Sequence, residues 1–449
     1  MNIRVSNWCK QLNKFSKHID YIPDVMNFGR VVGLTGVLIE VIGLKVPIDT
    51  VCIIEFLKNN QIIHVEGIVI NFSLQKTFLT LFENIYTIPP DARVFPKFNQ
   101  HFYTQKWPLG FQLLGRILDG QGKPLDNHFL SNINMINTLQ YESINPLDRE
   151  PISEIFDVGV RSINALLTLG KGQKIGLLSQ SGYGKSLLIG MMARHAQVDV
   201  IIIGLIGERS REIRYFIEHV LGLQGLLRSV IIAVPINTSP ILKIQGAMYA
   251  MRIAEYFRDH KQDVLLIIDS LTRYAMSERE ISVSLGELPV HQGYPSSIFT
   301  KLSHFIERAG NFKKNHGSIT AFYTILLEQE DNDLVGEIAK SVLDGHIVLS
   351  KLYADLGHYP AIDIELSISR LMVNLVNPLY YKKACYLKQL MSTYQRSQDL
   401  INVGAYIHGS NTIIDEAIQK WPKIQSFLKQ DLTESSSYIQ SISLLSNII

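Results

Sequence analysis

The sequence predicts an α/β protein in three parts: a small β-barrel, a central parallel sheet covered by helices, and a helical C-terminal domain. Three observations lead to this prediction. Short β-branched runs fill residues 29–95, apolar runs of strand length alternate with amphipathic helices from about residue 175, and helical periodicity alone continues beyond residue 371. With 449 residues the chain has the length for two or three domains and a substantial core.

Composition narrows the class of protein. Apolar residues make up 46% and charged residues 19% of the chain, as in ordered globular proteins. The net charge is +2 and no long Lys/Arg run occurs, which disfavours nucleic acid as the principal partner. Cys9, Cys52 and Cys385 lie too far apart to indicate a disulfide framework or a zinc site, and such scattered thiols suit a reducing cytoplasm.

The first residues predict a short amphipathic helix. Trp8, Leu12, Phe15 and Ile19 follow helical spacing within residues 1–22. This apolar stripe either packs on the chain's own barrel or docks a partner, and the pattern does not choose between the two. No window approaches the roughly 18 apolar residues needed to cross a bilayer, and the N-terminus lacks the apolar stretch of a signal peptide. Any membrane association is therefore expected to be peripheral.

The barrel is predicted for residues 23–95. Apolar, β-branched runs at 37–39, 51–54 and 62–65 are separated by glycine and asparagine, as short strands are separated by turns. Five or more strands at this spacing favour a small barrel. A stretch with three prolines, residues 89–96, marks its end.

Residues 96–370 are predicted to form the α/β domain. Its apolar runs of strand length are 175–179, 198–204, 230–234 and 264–269. Its helical runs are 187–195, 212–221, 241–260 and 297–309. This alternation requires crossover connections, and therefore a parallel sheet with helices on both faces. Residues 371–449, where the apolar strands stop, are predicted to form the helical domain.

A phosphate-binding loop follows the first of these strands. Residues 179–186 read SQSGYGKS and lead directly into a helix, with serine in the place of the motif's first glycine. Gly182 and Gly184 let successive N–H groups turn toward phosphate oxygens. Lys185 is then placed to reach the β- and γ-phosphates, and the Ser186 hydroxyl to bind magnesium. The predicted nucleotide contacts in this loop are Ser179, Gln180, Ser181, Gly182, Tyr183, Gly184, Lys185 and Ser186.

Two carboxylates follow other predicted strands. Asp269 ends the buried run 264–269, where such sites place a metal-binding aspartate, although aspartates without a function also end strands. Glu208 lies in the segment GERSRE after another strand. Ligands bind at this edge of parallel sheets, so Glu208 is a candidate for polarising the attacking water. The local pattern by itself favours a solvated charge cluster at the start of a helix.

Characteristic segments extend beyond this site through nearly the whole chain. They include DVGVRSINALLT at 157–168, DSLTRYAM at 269–276, GHYPAIDI at 357–364 and SISR at 367–370. In this arrangement the chain resembles the catalytic subunits of the rotary ATP synthase superfamily and, more closely, the flagellar protein-export ATPases. The resemblance implies a RecA-like core that hydrolyses ATP with Mg²⁺ and energises protein export.

The resemblance also implies roles for individual residues. The glutamate that matches Glu208 activates the hydrolytic water, and the neighbouring Arg209 lies close to the phosphates. Arg370 matches an arginine finger that reaches the nucleotide of the adjacent subunit, where a guanidinium in trans can be worth ~10³ to 10⁵ in rate. Tyr359 matches a tyrosine that packs against the adenine ring.

The same resemblance implies an assembly and its partners. A homohexameric ring is expected, with a stator-like negative regulator at the N-terminal helix. Export-gate and central-stalk proteins, exported flagellar substrates and their chaperones are the other implied partners. The expected location is cytoplasmic, peripheral at the cytoplasmic face of the inner membrane.

Three other classes share parts of this pattern. Virulence-associated type III secretion ATPases share the fold, the chemistry and the hexamer, and only details such as GHYPAID favour the flagellar group. Non-catalytic subunits of rotary synthases replace the catalytic glutamate, so Glu208 argues against that class. A hexameric RNA translocase would need a basic, aromatic-rich surface for a single strand, which the near-neutral composition disfavours.

Overall fold

The computed structural model of the chain describes residue 8 and residues 28–83, 87–97, 105–126, 128, 134–136, 138–139, 145–180, 182–312, 317–327 and 333–448. The chain divides into two compact units, Met1–Gln105 and Lys106–Ile449. Of the predicted N-terminal stripe only Trp8 is among the described residues, and its side chain is exposed. The proposed docking role of that helix therefore stays a prediction.

The first unit contains a closed antiparallel barrel, which confirms the predicted β-barrel. Its strands are β1 (Gly29–Thr35), β2 (Leu38–Ile42), β3 (Val51–Lys58), β4 (Gln61–Phe72), β5 (Lys76–Leu81) and β6 (Arg93–Pro96). They pair in the order β1-β2-β5-β4-β3-β6, and β6 closes on β1. Because successive side chains point to opposite faces, alternate residues such as Val41, Ile54 and Val94 fill the barrel interior.

The second unit carries the remaining elements. Its strands are β7 (Trp107–Leu109), β8 (Ile117–Leu118), β9 (Asn134–Ile136), β10 (Ile155–Phe156), β11 (Leu169–Gly170), β12 (Lys174–Ser179), β13 (Val200–Glu208), β14 (Ser229–Pro235), β15 (Val264–Asp269), β16 (Gly310–Asn311), β17 (Ser318–Leu326), β18 (Gly345–Leu349) and β19 (Ile362–Ser369). Its α-helices are α1 (Arg161–Leu166), α2 (Lys185–His195), α3 (Ser210–Tyr215), α4 (Gly222–Leu227), α5 (Pro240–Asp259), α6 (Leu271–Ser284), α7 (Ser297–Glu307), α8 (Leu334–Val342), α9 (Lys351–Asp355), α10 (Met372–Leu375), α11 (Pro378–Asn402), α12 (Thr412–Leu428) and α13 (Tyr438–Ser446).

The large sheet of this unit has the order β19-β18-β12-β17-β15-β13-β14-β8. The strands from β18 to β8 are parallel, whereas β19 pairs antiparallel with β18, and β16 pairs antiparallel with β17. Strands such as β12 and β15 are buried at every residue, as expected for a parallel sheet with helices on both faces. The predicted α/β core is confirmed.

The four predicted strands all form, and the sheet also contains strands that the pattern missed. β17 lies between β12 and β15, although it follows both in sequence. The run 212–221, predicted as one helix, is divided into α3 and a π-helical turn, Phe216–Leu221, before α4 begins. The π-helical turn itself ends at Gly222, whose φ of 67° interrupts the regular helix.

The C-terminal helices share a hydrophobic core with one face of the sheet. Leu387, Leu390 and Phe427 belong to the same cluster of buried side chains as Ile163 and Ile175. The amphipathic pattern that predicted a helical C-terminal region is therefore satisfied by packing within the second unit. Among the described residues, no helix combines the length and apolarity needed to cross a bilayer.

Candidate active site

Three parallel strands bring the predicted site residues to one edge of the sheet. β12 ends at Ser179, immediately before the phosphate loop, while β15 ends at Asp269 and β13 at Glu208. Carboxyl ends of parallel strands lie at the same edge, and this is where ligands bind in open α/β sheets. β17 separates β12 from β15, so the phosphate loop and Asp269 flank the end of β17.

The phosphate loop has the backbone that its glycines predict. Gly182 and Gly184 have φ values of 93° and 86°, in a region that residues with a Cβ rarely adopt. Helix α2 begins at Lys185, so its first N–H groups face the loop. Tyr183 donates a hydrogen bond to the Gln180 side-chain oxygen over 2.6 Å, which ties the two sides of the loop together.

The other loop residues differ in accessibility. Ser179 is fully buried at the end of β12, whereas Ser186 is exposed in the first turn of α2. Ser181 lies outside the described residues. The position of Ser186 leaves its hydroxyl accessible to a bound ligand.

Lys185 is paired with both predicted catalytic carboxylates. Its Nζ lies 2.5 Å from Asp269 Oδ1 and 3.1 Å from Glu208 Oε1. The three side chains are largely buried, with 12%, 5% and 16% of the surface exposed for Lys185, Asp269 and Glu208. The contact between Lys185 and Asp269 joins residues 84 positions apart in sequence. The structure thus brings three of the predicted residues into one cluster.

Burial and neighbouring charges together set the pKa values of Lys185 and Glu208 in this cluster. Burial alone would lower the pKa of Lys185, but the negative charges of Asp269 and Glu208 outweigh it, so the lysine pKa is raised. Burial and the charge of Asp269 raise the pKa of Glu208 to about 7, against the opposing effect of Lys185. A buried carboxyl that titrates near neutral pH has the acidity required of a general base.

Gly207 and Arg209 on either side of Glu208 are placed differently. Gly207 has a φ of 74°, and a Cβ there would lie 2.9 Å from Arg273 Cβ, so the chain turns against α6 only with glycine at this position. Arg209 is exposed, and its Nη1 lies 3.6 Å from Glu212 Oε1. Its guanidinium is therefore directed at Glu212 in this structure.

Tyr359 lies against the phosphate loop although 175 residues separate it from Gly184. A Cβ added to Gly184 would meet Tyr359 Cε1 at 3.0 Å, so the tyrosine ring lies directly on this glycine. The Tyr359 carbonyl accepts a hydrogen bond of 3.0 Å from the Gln430 N–H, in the segment after α12. A ring at this place is available to a nucleotide bound at the loop.

Arg370 lies at the opposite edge of the sheet from the phosphate loop. It follows β19, which runs antiparallel to β18 and pairs Ser369 with Gly345 at the start of β18. The six residues of β12 span the distance between the two edges, or about 20 Å at about 3.3 Å per residue. Arg370 is exposed, and its Nη2 donates to the Lys340 carbonyl at 2.8 Å. The Arg370 side chain therefore cannot reach the phosphate loop of its own chain.

Thr324 belongs to this site but was missed from the sequence. It lies in β17, and its Oγ1 is 2.7 Å from Asp269 Oδ1. The residue is a threonine in a strand of otherwise mainly apolar side chains, SITAFYTIL, next to the strand of Asp269. That polar interruption could have identified it only if the position of β17 in the sheet had been known.

Profiles of two protein families match the chain. The ATP synthase alpha/beta family, nucleotide-binding domain, matches residues 159–369, and the C-terminal domain of the type III secretion ATPase EscN matches residues 376–447. The flagellum-specific ATP synthase of Buchnera aphidicola subsp. Acyrthosiphon pisum is 54% identical, over 100% of this chain and 97% of the relative. The flagellum-specific ATP synthase of Salmonella typhimurium is 48% identical, over 99% and 98% of the two chains.

Solved structures agree with these matches. The assembled ATPase EscN from the type III secretion system of enteropathogenic E. coli has a TM-score of 0.86 and 36% identity, over 94% of this chain and 99% of that chain. EscN in complex with its central stalk EscO has a TM-score of 0.83 at the same identity. These similarities cover the barrel, the sheet and the C-terminal helices together, and confirm the predicted fold class.

Proposed function

This chain belongs to the family of flagellum-specific ATP synthases, and from that premise we propose that it hydrolyses Mg-ATP to drive export of flagellar proteins through the flagellar type III apparatus. ATP-driven protein export is the activity of the group that includes these relatives and EscN. The observation that carries the assignment of the site is the cluster of Lys185, Asp269 and Glu208 at the phosphate loop.

Lys185 exchanges partners when nucleotide binds. Its ammonium group, as the structure places it, compensates two buried carboxylates, which would otherwise repel each other at low dielectric. A triphosphate held by the loop offers a denser negative charge in the same place. Lys185 then turns to the β- and γ-phosphates, and both carboxylates become available for the reaction.

Ser186 and Asp269 are the residues that would hold Mg²⁺. A hydroxyl in the first turn of the loop helix and a carboxylate on a neighbouring strand are oxygen donors of the kind that Mg²⁺ accepts, with water and phosphate as its remaining ligands. When bound, the ion supplies positive charge to the phosphate oxygens during transfer. The donor set of this edge fits that role, since Ser186 is accessible and Asp269 keeps one oxygen beyond the one that Lys185 contacts.

Glu208 is the proposed base. Once Lys185 has moved, the Glu208 carboxylate can accept a hydrogen bond from a water molecule and orient that water for in-line attack on the γ-phosphate. Arg209 is the adjacent cation, and turning from Glu212 toward the phosphates would add charge there. Both roles depend on the GERSRE turn at the end of β13.

Arg370 acts on the nucleotide of a neighbouring subunit in this proposal. Because Arg370 lies at the far edge of the sheet, its side chain cannot reach the phosphate loop of its own chain. Its exposed guanidinium is accessible to another chain. A homohexameric ring supplies that neighbour, as the assembled state of EscN suggests. Tyr359, which lies on Gly184, packs against the adenine ring once nucleotide enters.

The remaining partners follow from the family. We propose a central-stalk protein as a partner, by analogy with the complex of EscN and EscO. A stator-like negative regulator at the N-terminal helix, export-gate proteins, and flagellar substrates with their chaperones complete the set, and nucleic acid is not among them. The proposed location is cytoplasmic, peripheral at the inner membrane. The virulence alternative is less favoured, because the two flagellar relatives described above are 54% and 48% identical to this chain, against 36% for EscN.

Replacement of Glu208 by glutamine tests the site. Glu208→Gln keeps the size of the side chain and removes the base, so ATP hydrolysis should fall by about 10²-fold or more while nucleotide binding persists. Glu212→Gln, an exposed change on the same turn, is the matched control and should retain hydrolysis. Equal activity of the Glu208→Gln variant and the wild type would remove Glu208 from the mechanism.

Subunit mixing tests Arg370. Arg370→Ala and Glu208→Gln subunits are each inactive alone in this proposal. A mixed ring contains interfaces that combine an intact Glu208 with an intact Arg370, so mixing should restore part of the hydrolysis. If mixed rings form, as shown by native mass spectrometry, and no activity returns, Arg370 does not act in trans.

A further inference from the structure

Thr324 is a fully buried polar residue at the centre of the site that the proposed mechanism has not used. Its exposed fraction is 0%, and it lies in β17, between the strand of the phosphate loop and the strand of Asp269. Buried hydroxyls normally form a hydrogen bond, because an unpaired hydroxyl in the interior costs free energy. The partner of Thr324 therefore indicates its role.

The hydroxyl proton of Thr324 has two acceptors within reach. Oγ1 lies 2.7 Å from Asp269 Oδ1 and 3.4 Å from the Ile268 carbonyl oxygen. A hydroxyl has one proton to donate, and a bond to an ionised acceptor is shorter and about twice as strong as a bond to a neutral one. The shorter distance shows that Thr324 Oγ1 donates its hydrogen bond to the Asp269 carboxylate.

Both contacts of the Asp269 carboxylate end on the same oxygen. Oδ1 receives Lys185 Nζ at 2.5 Å and Thr324 Oγ1 at 2.7 Å. The bond from Lys185 is lost when that lysine turns to the phosphates, whereas Thr324 is fixed in a strand and stays. The Thr324 bond would then hold Oδ1 and leave Oδ2 as the oxygen that Asp269 would offer to a metal ion.

We propose that Thr324 is a positioning residue for the metal site, because its hydroxyl fixes the rotamer of Asp269 after Lys185 has left. This inference rests on the proposed role of Asp269 as a ligand of Mg²⁺. Partners that orient a metal ligand typically contribute 10- to 100-fold to metal affinity or activity. The contribution is expected in metal binding, before any chemical step.

A second threonine of β17 provides a matched control. Thr320 is 1% exposed, and its Oγ1 accepts a hydrogen bond of 2.9 Å from the Gly172 N–H. It precedes Thr324 by four residues on the same face of the strand, about 13 Å away at about 3.3 Å per residue. Thr320→Val and Thr324→Val therefore make the same chemical change in the same strand, each with loss of one buried hydrogen bond.

The experiment measures metal binding directly. Mn²⁺ serves as the probe, and its free concentration is followed by electron paramagnetic resonance while it is titrated into full-length protein saturated with ADP. Thr324→Val should weaken Mn²⁺ binding by about tenfold or more, as expected for a lost orienting bond. Thr324→Ser, which keeps the hydroxyl, should recover most of that affinity, and Thr320→Val should bind like the wild type.

Asp269→Asn distinguishes the metal-ligand role of Asp269 from the positioning role of Thr324. If Asp269→Asn loses Mn²⁺ affinity and Thr324→Val does not, Asp269 is a ligand and the inference about Thr324 is overturned. If Asp269→Asn keeps wild-type affinity, the proposed ligand and the inference both fail. Equal weakening in Thr324→Val and Thr320→Val would show a general disturbance of the strand and would also overturn it.

Discussion

The pKa of Glu208 predicts an acid limit to the activity. Burial and the neighbouring Asp269 raise this pKa to about 7, and only the ionised carboxylate can act as a base. For a pKa of about 7, roughly one tenth of the molecules are ionised at pH 6, whereas an ordinary carboxyl near 4.5 would be almost fully ionised. We therefore expect kcat/KM for Mg-ATP to fall by about tenfold between its plateau and pH 6.

The assay uses kcat/KM because it reports the ionisation of the free enzyme. Hydrolysis is measured from pH 5.5 to 9 with Mg²⁺ in excess and at a protein concentration that keeps rings assembled. Phosphate groups of the nucleotide also titrate near pH 6, so nucleotide affinity is measured over the same range with the Glu208→Gln variant. A pH-dependent change in nucleotide affinity that persists in that variant is caused by titration of the nucleotide and not of Glu208. A kcat/KM that stays flat down to pH 6 would refute the assignment.

Two further predictions concern stability and the base of the nucleotide. Because the Glu208 pKa is raised in the folded state, its contribution to stability is present below pH 4.5 and lost as pH rises through about 7. Glu208→Gln should therefore raise the nucleotide-free stability at pH 8, by up to about 3 kcal/mol, and leave it unchanged at pH 4.5, as measured by thermal unfolding. Tyr359→Ala should weaken ATP binding by about 5- to 100-fold through lost stacking and leave the binding of inorganic tripolyphosphate unchanged. Tyr359→Phe should bind both ligands like the wild type. An equal loss of affinity for both ligands in Tyr359→Ala would show that Tyr359 does not stack on the adenine ring.

Local rules in the sequence predict the phosphate loop and the two strand-end carboxylates, whereas the roles of Glu208, Arg209, Arg370 and Tyr359 were predicted from the family resemblance. A glycine-rich turn between an apolar strand and a helix predicts phosphate binding, and strands β13 and β15 end in Glu208 and Asp269. The rule of parallel sheets places all three at one edge. What the pattern could not supply was their contacts, since Lys185 and Asp269 meet over 84 residues of sequence. The raised pKa of Glu208 depends on its burial and on the nearby Asp269, which only the folded chain brings together.

The sequence by itself predicted the fold class, which is confirmed, and the residues of the candidate nucleotide site, which stay a prediction, since strand length, helical period and glycine placement are local properties. Only the tertiary structure inserted β17 between β12 and β15, and that insertion places the Thr324 hydroxyl on Asp269. It also placed Tyr359 on Gly184 and Arg370 at the far edge of the sheet. The physical reason is that strand order is selected by packing of the two buried faces of the sheet, which no local run of residues specifies.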